Sequence, residues 1–149
     1  MVAVDYYPDE EGSIQDGFIC GFCYADGALN EGALVKWGTS ASGRVAVAES
    51  TAVGDAIGVA LKAAAGAGSM VPVAFSGIVK LTTGETLAIG ELVLSLTSTN
   101  IAGIGASTTL TINSATQKIL GCTMQAGLSD DGDELLVLLG GDGISAGLV

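Results

Sequence analysis

Histidine is absent from this chain of 149 residues. Its absence removes Ser–His–Asp catalysis and the usual histidine-based metal centres. Three cysteines form an odd set, poor material for a disulfide-stapled extracellular fold. Basic residues are few: Lys36, Arg44, Lys62, Lys80 and Lys118 are scattered among sixteen acidic ones, for a formal charge of −11. Phosphate contacts need concentrated positive charge, so no nucleic-acid partner is expected, and an anionic membrane would repel the chain. No apolar run reaches the roughly 18 residues of a membrane-spanning helix. The start, Met1-Val2-Ala3-Val4-Asp5, lacks a basic head and apolar signal core. The expectation is synthesis in the cytoplasm without a signal peptide. Aromatic residues make up only 5% of the chain and there are two prolines. Large rigid side chains therefore contribute little to the core.

What is present is apolar and small. Hydrophobic residues make up 49% of the chain, and 23 residues are glycine. This suits thin layers, tight turns and close backbone approach, with some apolar surface left for another chain to bury. The length fits one domain, which would bury roughly two thirds of its unfolded surface.

The chain also repeats itself. Ile57-Gly58-Val59-Ala60-Leu61 leads through small residues to Val71-Pro72-Val73-Ala74-Phe75-Ser76-Gly77. Leu120-Gly121-Cys122-Thr123-Met124 leads likewise to Glu134-Leu135-Leu136-Val137-Leu138-Leu139-Gly140, 63 positions later. A gapless match sets Gly58 on Gly121, Val73 on Leu136, Phe75 on Leu138 and Gly77 on Gly140. A shorter echo, Gly32-Ala33-Leu34-Val35 against Gly90-Glu91-Leu92-Val93, precedes each copy. Such self-similarity marks a duplicated structural unit. The copies share no polar cluster that would make a duplicated active site.

Period-two patterns and Gly/Ser turns predict strands at 17–24, 33–37, 43–47, 56–62, 71–81, 91–96, 109–112, 118–124 and 135–139. Pro72, lacking an N–H, is expected at a sheet edge or with that position pointing outward. The Thr/Ser/Gly-rich interval 97–109 reads as a loop. The fold class is all-β: a small barrel or sandwich of short antiparallel strands with an internal duplication and little helix. Residues 1–31 read as an N-terminal arm, to about residue 15, with a leading strand. Residues 32–149 read as a β-rich domain with related segments at about 32–77 and 90–140.

Chemical motifs are sparse. Cys20-Gly21-Phe22-Cys23 has redox spacing but lacks the following amphipathic helix that would lower a thiol pKa. Structural packing is the simpler reading, with a small redox enzyme as the competing one. Asp130-Asp131-Gly132-Asp133-Glu134 offers oxygen donors without the ordered spacing of a calcium loop. It reads as a solvated turn, with weak cation binding as the alternative. No nucleophile elbow, Walker loop or dinucleotide fingerprint is present. Neither a catalytic residue nor a cofactor, metal or small-molecule substrate is assigned, and the chain reads as a non-enzyme.

Gly54–Leu61, the small-residue linker and Met70–Val79 resemble the small β-rich capsid decoration, or cement, proteins of tailed phages and related viruses. They are also similar to a domain family of unknown function found in phage structural-gene clusters. Its members carry an IGVAL segment, an alanine-rich turn, VPVALSGVV and then G-x-x-V, which Gly90-Glu91-Leu92-Val93 resembles. Ile119–Gly140 looks like the recurring second half, and the likeness covers about residues 32–140. The resemblance implies a head-stabilising protein on the outer capsid surface, bound to the major capsid protein and often trimeric at three-fold positions. It implies an N-terminal arm that touches the shell, although residues 1–31 depart from the pattern. Candidate capsid or subunit contacts are Asp5, Tyr6 and Tyr7 in the arm, and Leu135, Val137 and Leu139 in the last apolar run. An alternative is a carbohydrate-binding or adhesive β module with Trp37, Tyr6, Tyr7 or Tyr24 as aromatic platforms.

Overall fold

Alternating side chains on one long segment, Val71, Val73, Val79, Leu81 and Thr83, are all buried, with mixed residues between them. That segment is β5, Met70–Thr83, and the rest of the structure is arranged around it. A computed structural model describes residues 14–39, 45–104, 117–126 and 132–140, with backbone only for 14–20. Before β5 come β1 (Ile14–Ala25), β2 (Leu34–Trp37), β3 (Ala46–Glu49) and β4 (Gly58–Ala60). After it come β6 (Leu92–Ser95), β7 (Asn100–Gly103), β8 (Gly121–Thr123) and β9 (Glu134–Gly140). The described residues contain no helix.

The strand order is β1-β3-β2-β4-β5-β7-β6-β8-β9, and β5 additionally pairs with both β1 and β9. These two extra pairings close two rings. β1, β3, β2, β4 and the first half of β5 form one five-stranded barrel; the second half of β5 with β7, β6, β8 and β9 forms another. The fold is thus all-β and barrel-like, which removes most of the edges that an open sheet exposes. Most pairings are antiparallel, as expected, but β1–β3 and β5–β7 are parallel.

The two barrels repeat each other bond for bond. Gly32 donates to the Ala60 carbonyl and Gly90 to that of Thr123; Leu61 donates to Pro72 and Met124 to Leu136. Gly68 donates to Ala25 and Gly132 to Thr83, and all four of these turn glycines have positive φ. The first half of the gapless sequence match therefore holds, but the last strand is one residue out of frame. Val73 and Phe75 correspond to Val137 and Leu139, not to Leu136 and Leu138. A one-residue slip exchanges the two faces of a strand, so the correction decides which side chains point inward. The repeat also starts earlier than the sequence suggests, with β1 matching the second half of β5.

Two hydrophobic clusters follow the rings. Cys23, Val35, Val47, Val71 and Val73 fill the first barrel. Val79, Leu81, Val93, Ile101, Leu135 and Val137 fill the second.

Three expectations need correction. Residues 100–103 of the presumed loop are β7, held between β6 and β5. Pro72 lies in the strand shared by both barrels; its missing N–H falls opposite Leu61, where β4 has ended, while its carbonyl still accepts from Leu61. Residues 14 and 15 of the presumed arm belong to β1. The strand expected at 109–112 lies outside the described residues.

Gly58 and Gly121 show why each repeat keeps a glycine at the start of its fourth strand. A Cβ on Gly58 would come within 2.5 Å of the Ala74 carbonyl oxygen, and one on Gly121 within 2.0 Å of that of Leu138. Gly121→Ala should destabilise by about 1–3 kcal/mol, the usual penalty for overpacking. Gly66→Ala, with nothing within 4 Å, should be near neutral. Denaturant titrations of the two variants check the contrast.

Candidate functional surface

The barrels meet on a face of the first one. Leu34, Val59 and Ala74 sit side by side on β2, β4 and β5, because Leu34 pairs with Val59 and Val59 with Ala74. All three are fully buried and, with Ala56, belong to the hydrophobic cluster of the second barrel. Ser95, at the end of β6, fastens the contact. Its carbonyl accepts from Gly54 N–H at 2.7 Å, and its Oγ accepts from Ala56 N–H at 3.2 Å. Ser50 Oγ donates to Asp55 Oδ1 and accepts from the Ser95 hydroxyl at 3.2 Å. Asp55 in turn accepts from the Ala52 N–H at 3.1 Å and faces Lys36 Nζ at 3.4 Å. Ser95→Ala leaves the buried Ala56 N–H without that acceptor and should cost about 1–3 kcal/mol in a denaturant titration.

The outward side of the second barrel is different. Leu92 of β6, Cys122 of β8 and Leu138 of β9 form a cross-strand row, flanked by Ile119. Leu92 is 46% exposed and Leu138 44%. Together with Gly121 and Leu139 they line an apolar groove of about 370 Å³. A surface of this kind marks an interaction site more often than an accident of composition. A second, more open groove is lined by Asp26, Lys36, Ala48, Glu49 and Thr51 and carries charged side chains that the first lacks.

Among the sequence-predicted contacts, Asp5, Tyr6 and Tyr7 lie outside the described residues. Leu135, Val137 and Leu139 point into the second barrel and are at most 3% exposed, so within one chain they are core. Strand alternation turns Leu138 outward instead. Sequence reasoning missed Leu92 and Ile119, which look like ordinary strand residues, and held Leu138 only as part of the run Leu135–Leu139, core or subunit interface as a whole. Trp37 is 51% exposed and stacks on Phe75 with ring centroids 5.8 Å apart, while Tyr24 is half-buried. These two positions flank β3, opposite Val47 and Ala46 respectively.

The Cys-x-x-Cys segment lies within β1, aligned with β5 from Cys20 opposite Ala74 to Cys23 opposite Val71. Cα atoms three residues apart on a strand are separated by roughly 10 Å, beyond disulfide reach. Cys23 is buried in the first barrel. Melting with and without a thiol reductant should give the same Tm; a fall with reductant would mean an internal disulfide holds the chain. Among the described residues, no group of three His, Cys, Asp or Glu side chains is placed to hold a metal. Asp130 and Asp131 of the acidic segment lie outside them, Gly132 is a turn glycine, and Glu134 at the start of β9 pairs with Lys80 at 2.9 Å.

No protein-family model matches the chain. No curated protein matches it by sequence. Among solved structures, it is similar to the N base of head fiber gp8.5 of bacteriophage phi29, with a TM-score of 0.54 and 11% identity. The match covers 83% of this chain and 94% of that one. At that identity the likeness is one of fold.

Proposed function

We propose that the protein is a structural component of a virion, attached to the outer surface of an assembled capsid and stabilising it. The observation that carries this reading is the shared fold: 94% of a phage head-fiber base is matched by 83% of this chain. The independent sequence resemblance to phage decoration proteins supports the same class. So does the apolar groove, the most conspicuous surface feature among the described residues. In this reading the major capsid protein is the partner, and the barrels act as a rigid body and not as a catalyst. The functional unit is a homotrimer, whose several modest contacts add through multivalency. The segment before β1, with Asp5, Tyr6 and Tyr7, is the anchor, adding itself to a capsid strand or groove.

Co-sedimentation with the native particle, followed by imaging of decorated particles, tests attachment. Removing residues 1–13 spares β1 and should leave Tm within a few degrees while reducing particle affinity by at least about tenfold, or 1.4 kcal/mol. Full affinity in the truncated chain would refute the anchor. No binding by the intact protein would refute the capsid reading.

A further inference from the structure

The apolar groove and the exposed Trp37 are the two open ends of one interface that the chain already makes internally. Superposing the repeats bond for bond places Leu34, Ala56, Val59 and Ala74 of the first barrel on Leu92, Ile119, Cys122 and Leu138 of the second. The first set is buried, at 0–1% exposure, beneath the second barrel. The second set is the groove. The same superposition puts Trp37 of β2 on Ser95 of β6, since Val35 and Val93 are equivalent. Ser95 is fully buried, because it seats on the first barrel beside Ala56. Trp37 is half exposed. In a stack of like units each contacts its neighbour through the same pair of surfaces, and the terminal units leave one surface uncovered at each end.

We propose that the groove of one protomer receives the Trp37 end of the first barrel of a second copy, head to tail. The intermolecular contact then follows the arrangement of the internal barrel–barrel contact at a wider spacing, because larger side chains replace Ser95, Ala56 and Ala74 and no strand is shared across it. Trp37 takes the place of Ser95, against Ile119 where Ser95 meets Ala56. The exchange of a small polar group for a large apolar one suits the more apolar surface it meets: Ile119 and Leu138 stand in the groove where Ala56 and Ala74 stand inside. Such a contact is heterologous, so successive copies either close into a ring or continue as a filament. The inference rests on the internal repeat alone and is independent of attachment to a particle.

The test uses the full chain with Leu138→Asp, which spoils the groove, and Trp37→Asp, which spoils the opposite end. Both positions are more than 40% exposed, so folding should survive, as melting curves will show. Leu92→Asp and Trp37→Ala replace either variant that fails to fold. Mass measurement in solution should find the wild type assembled and each variant monomeric at the same concentration. An equimolar mixture of the two variants should form a dimer and nothing larger, because one intact groove and one intact Trp37 end remain to meet. A wild type that stays monomeric up to about 1 mM, a weaker affinity than specific assembly requires, overturns the proposal. So does a variant that stays assembled, or a mixture that yields no dimer. Particle binding by the same variants is read separately, so loss of assembly and loss of attachment are distinguishable.

Discussion

One strand belongs to two barrels, and every other element depends on that sharing. β5 pairs with β1 from Met70 to Val79 and with β4 at Val73 and Ala74; β9 joins it from Ser76 to Thr82 and β7 at Thr82 and Thr83. Gly77, with φ of 112°, sits at the exchange. An L-residue would carry a strain penalty there that glycine avoids. The handover lets a single inward-facing parity serve both cores: Val71 and Val73 fill the first, Val79 and Leu81 the second. Neither barrel could be lifted out whole, because each uses half of the same strand as a wall.

Sharing also explains how so few large side chains suffice. The face of the first barrel that carries Leu34, Val59 and Ala74 is the outside of one sheet and simultaneously part of the core beneath the other. Small residues such as Ala56 and Ala74 allow the barrels to approach, and Ser95 satisfies backbone donors that the approach would otherwise strand. Gly58 and Gly121 do the equivalent within each barrel, where a side chain would strike a neighbouring strand.

Much of this was legible in the sequence where pattern and burial coincide. β2, β5, β6 and β9 announce themselves through apolar runs bounded by turn residues, and the duplication through matching glycines. The frame of the last strand was not legible, for a physical reason. Leu135–Leu139 is apolar on both parities, so matching by hydrophobicity accepts Phe75 on Leu138 as readily as on Leu139. Only the hydrogen bonds from Leu61 and Met124 decide. β7 was missed because Asn100-Ile101-Ala102-Gly103 has turn-like neighbours and owes its strand form to β5 and β6 on either side. The groove was invisible for the complementary reason: Leu92 and Leu138 resemble core residues, and nothing in a linear pattern says which apolar face goes uncovered.

The common wall has a consequence for how the chain comes into being. Closing the first barrel requires β1 to find β5 some distance along the chain, a nonlocal pairing that is slow to form. On the ribosome β1 and β4 must therefore wait, each with one edge unpaired, until β5 has emerged. Once β5 docks, its far half presents a ready template to β7 and β9, and the second closure proceeds from an ordered edge. Synthesis thus imposes a direction on folding, from the amino-terminal barrel outward, with a single strand as both the last piece of one unit and the seed of the next.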